Sequence, residues 1–162
     1  MKSRDVARGG LLLALTLILS YVERLAPLPV PIPGVKIGLP NLVVIFVLYR
    51  VGLKDAVITS LTRVALAGLL FGTGVSVLYA LAGATLSLTV MTLLKATGKF
   101  SIRGVSVAGG VFHNLGQILV AMTLLENQYL LGYFPVLCVT GTLAGIVIGV
   151  VGSMLVEHIK KI

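Results

Sequence analysis

The chain has 162 residues, 57% hydrophobic and 11% charged, and its thirteen Lys and Arg residues against five acidic ones give a net charge of +8. A water-soluble domain of this size needs far more polar surface to cover its core. The basic residues fall singly between apolar runs, without the stripe and aromatic interleaving of a nucleic-acid footprint.

Apolar runs of about 20 residues recur along the whole chain, the length that crosses a bilayer core of roughly 30 Å. Six spans of about 22 residues and short turns use up the sequence. The expected fold is therefore an all-α integral membrane protein, a six-transmembrane-helix bundle forming one domain over residues 1–162. The first helix is predicted over 5–24, after a basic start at Lys2, Arg4 and Arg8. Its apolar run lacks a small-residue cleavage site and reads as a retained helix, not a signal peptide. Residues 26–40 then carry five prolines, which exclude a continuous helix and require a stiff, extended loop. That loop is rich in Val, Ile and Leu, so it is expected to pack back onto the bundle as a lid or plug. Pro40 suits the first turn of a short second helix over 40–50.

A third helix is predicted over 53–70, a tight turn over 71–74 and a fourth helix over 75–96. A basic loop leads to a fifth helix over 104–125, and a turn over 126–132 to a sixth over 133–159. With the N-terminus inside, Lys2, Arg4, Arg8, Arg50, Lys54, Lys95, Lys99, Arg103, Lys160 and Lys161 are cytoplasmic. Only Arg24 and Lys36 fall outside. This positive-inside bias predicts a multi-pass cell-membrane protein with both termini cytoplasmic, and an even number of spans.

Lipid tails give helices no hydrophobic reason to associate, so close backbone approach at small residues holds such bundles together. Gly141, Gly145, Gly149 and Ser153 recur every fourth residue and predict a packing face on the sixth helix. Gly68 and Gly72 on the third helix, and Gly10 and Ala14 on the first, are further small-residue pairs.

Polar groups in hydrocarbon need a reason, since a central Arg costs about 2.5–3.5 kcal/mol on insertion scales. Arg63 falls near mid-membrane and keeps its proton, so it must face an anion, carbonyls or water; it either binds an anion or contacts a partner, or is a structural arginine bonded to neighbouring carbonyls. His113, Asn114 and Gln117 form one polar patch on the fifth helix by i,i+3 and i,i+4 spacing. They offer donors and acceptors together, as a polar substrate group requires; the alternative is an interhelical hydrogen-bond cluster. Lys36 and Asn41 flank the return of the outer loop. They either reach an anionic ligand or serve as a solvated lysine and a helix cap. Glu23 reads as a surface partner for Arg24, and Tyr21, Tyr49, Tyr129 and Tyr133 as interfacial anchors.

The lone cysteine, Cys138, excludes an intramolecular disulfide, and an isolated His makes a poor metal site. No phosphate-binding Gly-x-x-x-x-Gly-Lys-Ser/Thr loop is present. Asp5 and Asp55 are too few for the paired carboxylates that hold metal on a diphosphate. The expectation is a protein that is not an enzyme and carries no cofactor or metal.

Ser20-Tyr-Val-Glu23, Pro33-Gly-Val-Lys-Ile-Gly-Leu-Pro-Asn41, Arg63 before Leu69-Leu-Phe-Gly72, and Phe112-His-Asn-Leu-Gly-Gln117 together resemble the Gx transporter family. That family is also labelled heptaprenyl diphosphate synthase component I, and is similar to the substrate-binding S components of energy-coupling factor (ECF) transporters. The resemblance implies a six-helix fold whose first outer loop lids a pocket among helices four to six. It places Lys36, Asn41, His113, Asn114 and Gln117 at the motif positions. It also implies that the small residues of the first helix face a membrane coupling subunit associated with two ATPases. Here the repeated alanines usual on that helix reduce to Gly10 and Ala14.

The expected function is a substrate-binding subunit for uptake of a small organic metabolite, energised by a partner ATPase. Lys36, Asn41, Arg63, His113, Asn114 and Gln117 would bind the substrate. The alternative is a noncatalytic membrane partner in isoprenoid–quinone metabolism, associated with a polyprenyl synthase, or in a membrane electron-transfer assembly with a redox subunit.

Overall fold

A computed structural model describes residues 3–25 and 37–159. The expected lid, residues 26–36, lies outside the described residues. Six α-helices follow in order: α1 (Ser3–Leu25), α2 (Leu39–Arg50), α3 (Leu53–Phe71), α4 (Gly74–Ala96), α5 (Ile102–Leu124) and α6 (Phe134–His158). A short 3-10 helix, Gln128–Tyr133, leads into α6 where a plain turn is expected from sequence.

Local chemistry sets the ends. Thr73 caps α4 in a reciprocal capping box: its hydroxyl accepts from the Ser76 N–H at 3.3 Å, and its own N–H donates to Ser76 Oγ at 2.9 Å. Ser101 caps α5 by accepting from the Gly104 N–H at 3.2 Å. Before α2, Gly38 has φ 82, a left-handed conformation that glycine adopts without strain. Pro40 sits in the first turn, where its missing N–H costs nothing.

Five helices close a ring, in which α2, α3, α4, α5 and α6 each touch the next and α6 returns to α2; α1 buttresses the ring at α2 and α3. The α5 helix packs most extensively, on α4 and α6. Its seam with α6 is a backbone contact. A Cβ on Gly141 would lie 2.9 Å from the Gly110 carbonyl oxygen, and one on Gly145 would lie 2.6 Å from Val107 Cα. Gly149 approaches Arg103 Cα at 2.9 Å by the same measure. A side chain at any of these would push the helices apart, which is how small residues hold helices together without hydrophobic drive. On α3, Gly68 faces Val77 of α4.

Four helices are long and apolar enough to cross a membrane: α1, α4, α5, and the stretch Gln128–His158 that contains α6. Their outward side chains are apolar, as Leu11 (72% exposed), Leu143 and Ile146 show, which suits a lipid surround. The α2 helix has 12 residues, about 18 Å by helical rise. All six residues Val43–Leu48 are buried, because α1, α3 and α6 enclose it. The α3 helix carries Lys54, Asp55 and Arg63.

Charge gathers at one end of the bundle. Arg50 donates to the Val156 carbonyl, and Lys95 donates to the Leu48 carbonyl while lying 4.9 Å over the Tyr49 ring. Both satisfy last-turn carbonyls that a helix leaves open. Arg8 of α1 meets Asp5 at 3.7 Å and Asp55 of α3 at 4.0 Å. At the other end Tyr21 stacks on Phe71, with ring centroids 5.4 Å apart.

Candidate functional site

The ring encloses a cavity of about 540 Å³, within the range of small-molecule sites. Its lining begins at Glu23, Arg24 and Phe71, at the end where the chain leaves α1 and returns at Ile37. It reaches inward to Met91 and Ser106. Val44, Ile45, Leu88 and Ile148 supply apolar wall, and Ser20, Ser60, Ser87 and Ser106 supply hydroxyls.

Asn41, Arg63, His113, Asn114 and Gln117, all expected from sequence to bind substrate, line this one cavity. They come from three helices, α2, α3 and α5. Arg63 lies about 15 Å along α3 from its start. Its Nε is buried without a hydrogen-bond partner, and among the described residues it makes no ion pair. Among the described residues, its guanidinium bonds no neighbouring carbonyl.

The His113 ring lies against α4 at Gly83, where a Cβ would fall 3.0 Å from both Cε1 and Nε2. Gly83 therefore makes the space in which the imidazole sits. Asn114 is divided between two tasks: its Nδ2 donates to the Leu137 carbonyl of α6 at 2.8 Å while it lines the cavity. The side chain of Gln117, one turn on, makes no hydrogen bond among the described residues and presents a complete carboxamide.

Asn41 does not cap α2. Gly38 holds the N-cap position without a side-chain cap, and Asn41 donates only its backbone N–H to the Gly38 oxygen at 2.8 Å. The cap comes from another helix. Glu23 Oε1 of α1 accepts from the Gly38 N–H and, at 3.3 Å, from the Leu39 N–H. A carboxylate suits the positive end of the helix dipole. Glu23 is thus a structural clasp beside the cavity, and the surface pairing with Arg24 expected from sequence is not made among the described residues. Its i,i+3 spacing from Ser20 was the one local hint that the two share a face.

Lys36 lies outside the described residues. Gly10 and Ala14 are exposed on α1, and a Cβ on Gly10 would meet nothing within 4 Å, so no helix of this chain covers that position. Gly141 and Gly145 face α5 and also border the cavity. Among the described residues, no three His, Cys, Asp or Glu side chains group as a metal site.

A family model described as heptaprenyl diphosphate synthase component I matches residues 12–155. No curated protein and no solved structure matches the chain.

Proposed function

The chain belongs to the heptaprenyl diphosphate synthase component I family, and from that membership and the cavity among its helices we propose that it is a noncatalytic, substrate-binding membrane subunit. In this reading it acts as an S component for uptake of a small organic metabolite. One observation carries the reading: Asn41, Arg63, His113, Asn114 and Gln117 converge from separate helices on a single cavity of small-molecule size. Packing alone needs no such convergence. Asn114 already secures α5 to α6, while the side chains of Arg63 and Gln117 contribute no hydrogen bond to the bundle among the described residues.

The bundle would cross the membrane six times with both termini cytoplasmic, its basic end facing the cytoplasm. Substrate would arrive from outside, at the end where residues 26–36 bridge α1 and α2. The chain has no phosphate-binding loop of its own, so transport energy would come from partner ATPases through a membrane coupling subunit. The exposed face around Gly10 and Ala14 is the surface offered to that subunit.

The family's description as a synthase component favours a second reading, a noncatalytic membrane partner of a polyprenyl synthase, or a scaffold in quinone metabolism or an electron-transfer assembly. Affinity purification from cross-linked membranes, with mass spectrometry of the retained proteins, separates the two. Recovery of an ATPase with a second membrane subunit supports uptake. Stoichiometric recovery of a polyprenyl synthase or redox subunit, without any ATPase, overturns it.

A further inference from the structure

The Arg63 guanidinium, without a partner among the described residues, also bears on which molecule is bound. We infer that the ligand is a small organic monoanion, a carboxylate held by Arg63, with its uncharged end against Gln117. The inference rests on the reading of the chain as a metabolite-binding subunit and names the chemical class of that metabolite.

Arg63 projects into the cavity with a buried, unpartnered Nε. A buried donor left open costs free energy, and a buried charge left open costs more. Glu23 does not neutralise it. That carboxylate is committed to the Gly38 and Leu39 N–H groups and makes no ion pair with Arg63 among the described residues. Guanidinium matches a carboxylate in planar, two-point geometry, and such charge-assisted pairs are the strong ones.

Arg63 is the one arginine that the described lining carries in the interior, since Arg24 is exposed, and one carboxylate suffices to pair it. A diphosphate needs several cations or a bound metal. The described residues offer one interior arginine and no metal-holding cluster. Gln117 supplies both donor and acceptor for a polar but uncharged end, and the apolar part of the lining suits a ring or short chain.

The full chain in lipid nanodiscs is screened by thermal shift against a broad metabolite library. Each carboxylate in it is paired with its neutral amide, such as benzoate with benzamide and nicotinate with nicotinamide. Isopentenyl diphosphate serves as the diphosphate probe. The expected hits are carboxylates whose amides fail to bind. Arg63→Gln then weakens the best hit by roughly tenfold or more, and Arg63→Lys retains part of the affinity. Glu23→Gln keeps an oxygen for the α2 amides but removes a negative charge facing the site, so it tightens that hit by roughly threefold. This second variant keeps the test decisive if Arg63→Gln does not fold. Hits that are neutral, cationic or diphosphates overturn the inference while leaving the metabolite-subunit reading standing. So does a carboxylate bound no better by Glu23→Gln. If no compound of any class binds, the metabolite-subunit reading fails and the inference falls with it.

Discussion

Asn114 Nδ2 donates a 2.8 Å hydrogen bond to the Leu137 carbonyl oxygen, bridging α5 and α6 one turn from the seam where Gly110 and Gly141 meet. The bond gives one member of the polar patch a structural duty and separates it from its neighbour Gln117. The two carboxamides should therefore respond differently to the same truncation.

Asn114→Ala is expected to lower stability by about 0.6–1.7 kcal/mol, the range for interhelical hydrogen bonds in membranes. Gln117→Ala should change stability by less than about 0.5 kcal/mol and act on ligand binding instead. Melting of both variants in one detergent, with ligand retention measured alongside, checks the split. Equal destabilisation would assign Gln117 to packing.

The α5–α6 seam should tolerate no added volume. Gly145→Ala places a Cβ 2.6 Å from Val107 Cα and 2.9 Å from the Ser106 carbonyl oxygen. Neither backbone atom can yield without moving its helix, so a loss of about 1–3 kcal/mol is expected. Gly10→Ala meets nothing within 4 Å and should be neutral in the isolated chain, within about 0.5 kcal/mol. Thermal unfolding of the two variants side by side is the test.

Glu23→Ala should release the first turn of α2. The Gly38 and Leu39 N–H groups lose their acceptor, at a cost of about 1–3 kcal/mol for a buried unmet group. Faster hydrogen exchange at residues 38 and 39, largely restored in Glu23→Gln, is the expected signature. Unchanged exchange in Glu23→Ala would show that the clasp is not made in the membrane.

Topology follows from the ends of α5. In a Cys138→Ser background, a cysteine at Lys99 should label only from the cytoplasmic side of sealed cells. One at Tyr129, 94% exposed, should label only from outside. Labelling of both from the same side would contradict the proposed orientation.

Much of the helical plan was legible in the sequence, because apolar run length and breaker residues act locally. Helix five was expected over 104–125 and spans Ile102–Leu124, the two-residue difference arising from the Ser101 cap, which starts it early. Helix six begins at Phe134 after a 3-10 turn that composition did not mark. The shortness of α2 was visible, but its burial on all sides was not, since a uniformly apolar run looks the same against lipid or protein. The expectation of six spans stands beside four helices of spanning length; the 12-residue α2 is walled in by its neighbours, and α3 carries three charged residues.

The candidate site was readable where intramembrane polarity is rare, as at Arg63 and the His113, Asn114 and Gln117 trio. It was not readable where the partner is distant. Glu23 reaches its acceptor role through Gly38, across the proline-rich segment, and no periodicity links them. Ser60, Ser87 and Ser106 left no signal either, since a serine in a helix can bond its own backbone.

Whether the ring holds a ligand can be seen by structure determination of the chain purified from its own membranes into nanodiscs. Compact, non-protein density is expected inside the ring, bounded by the Arg63 guanidinium and the Gln117 carboxamide. An acyl chain filling that space, or an Arg63 side chain turned out toward lipid with the cavity collapsed, would contradict that expectation.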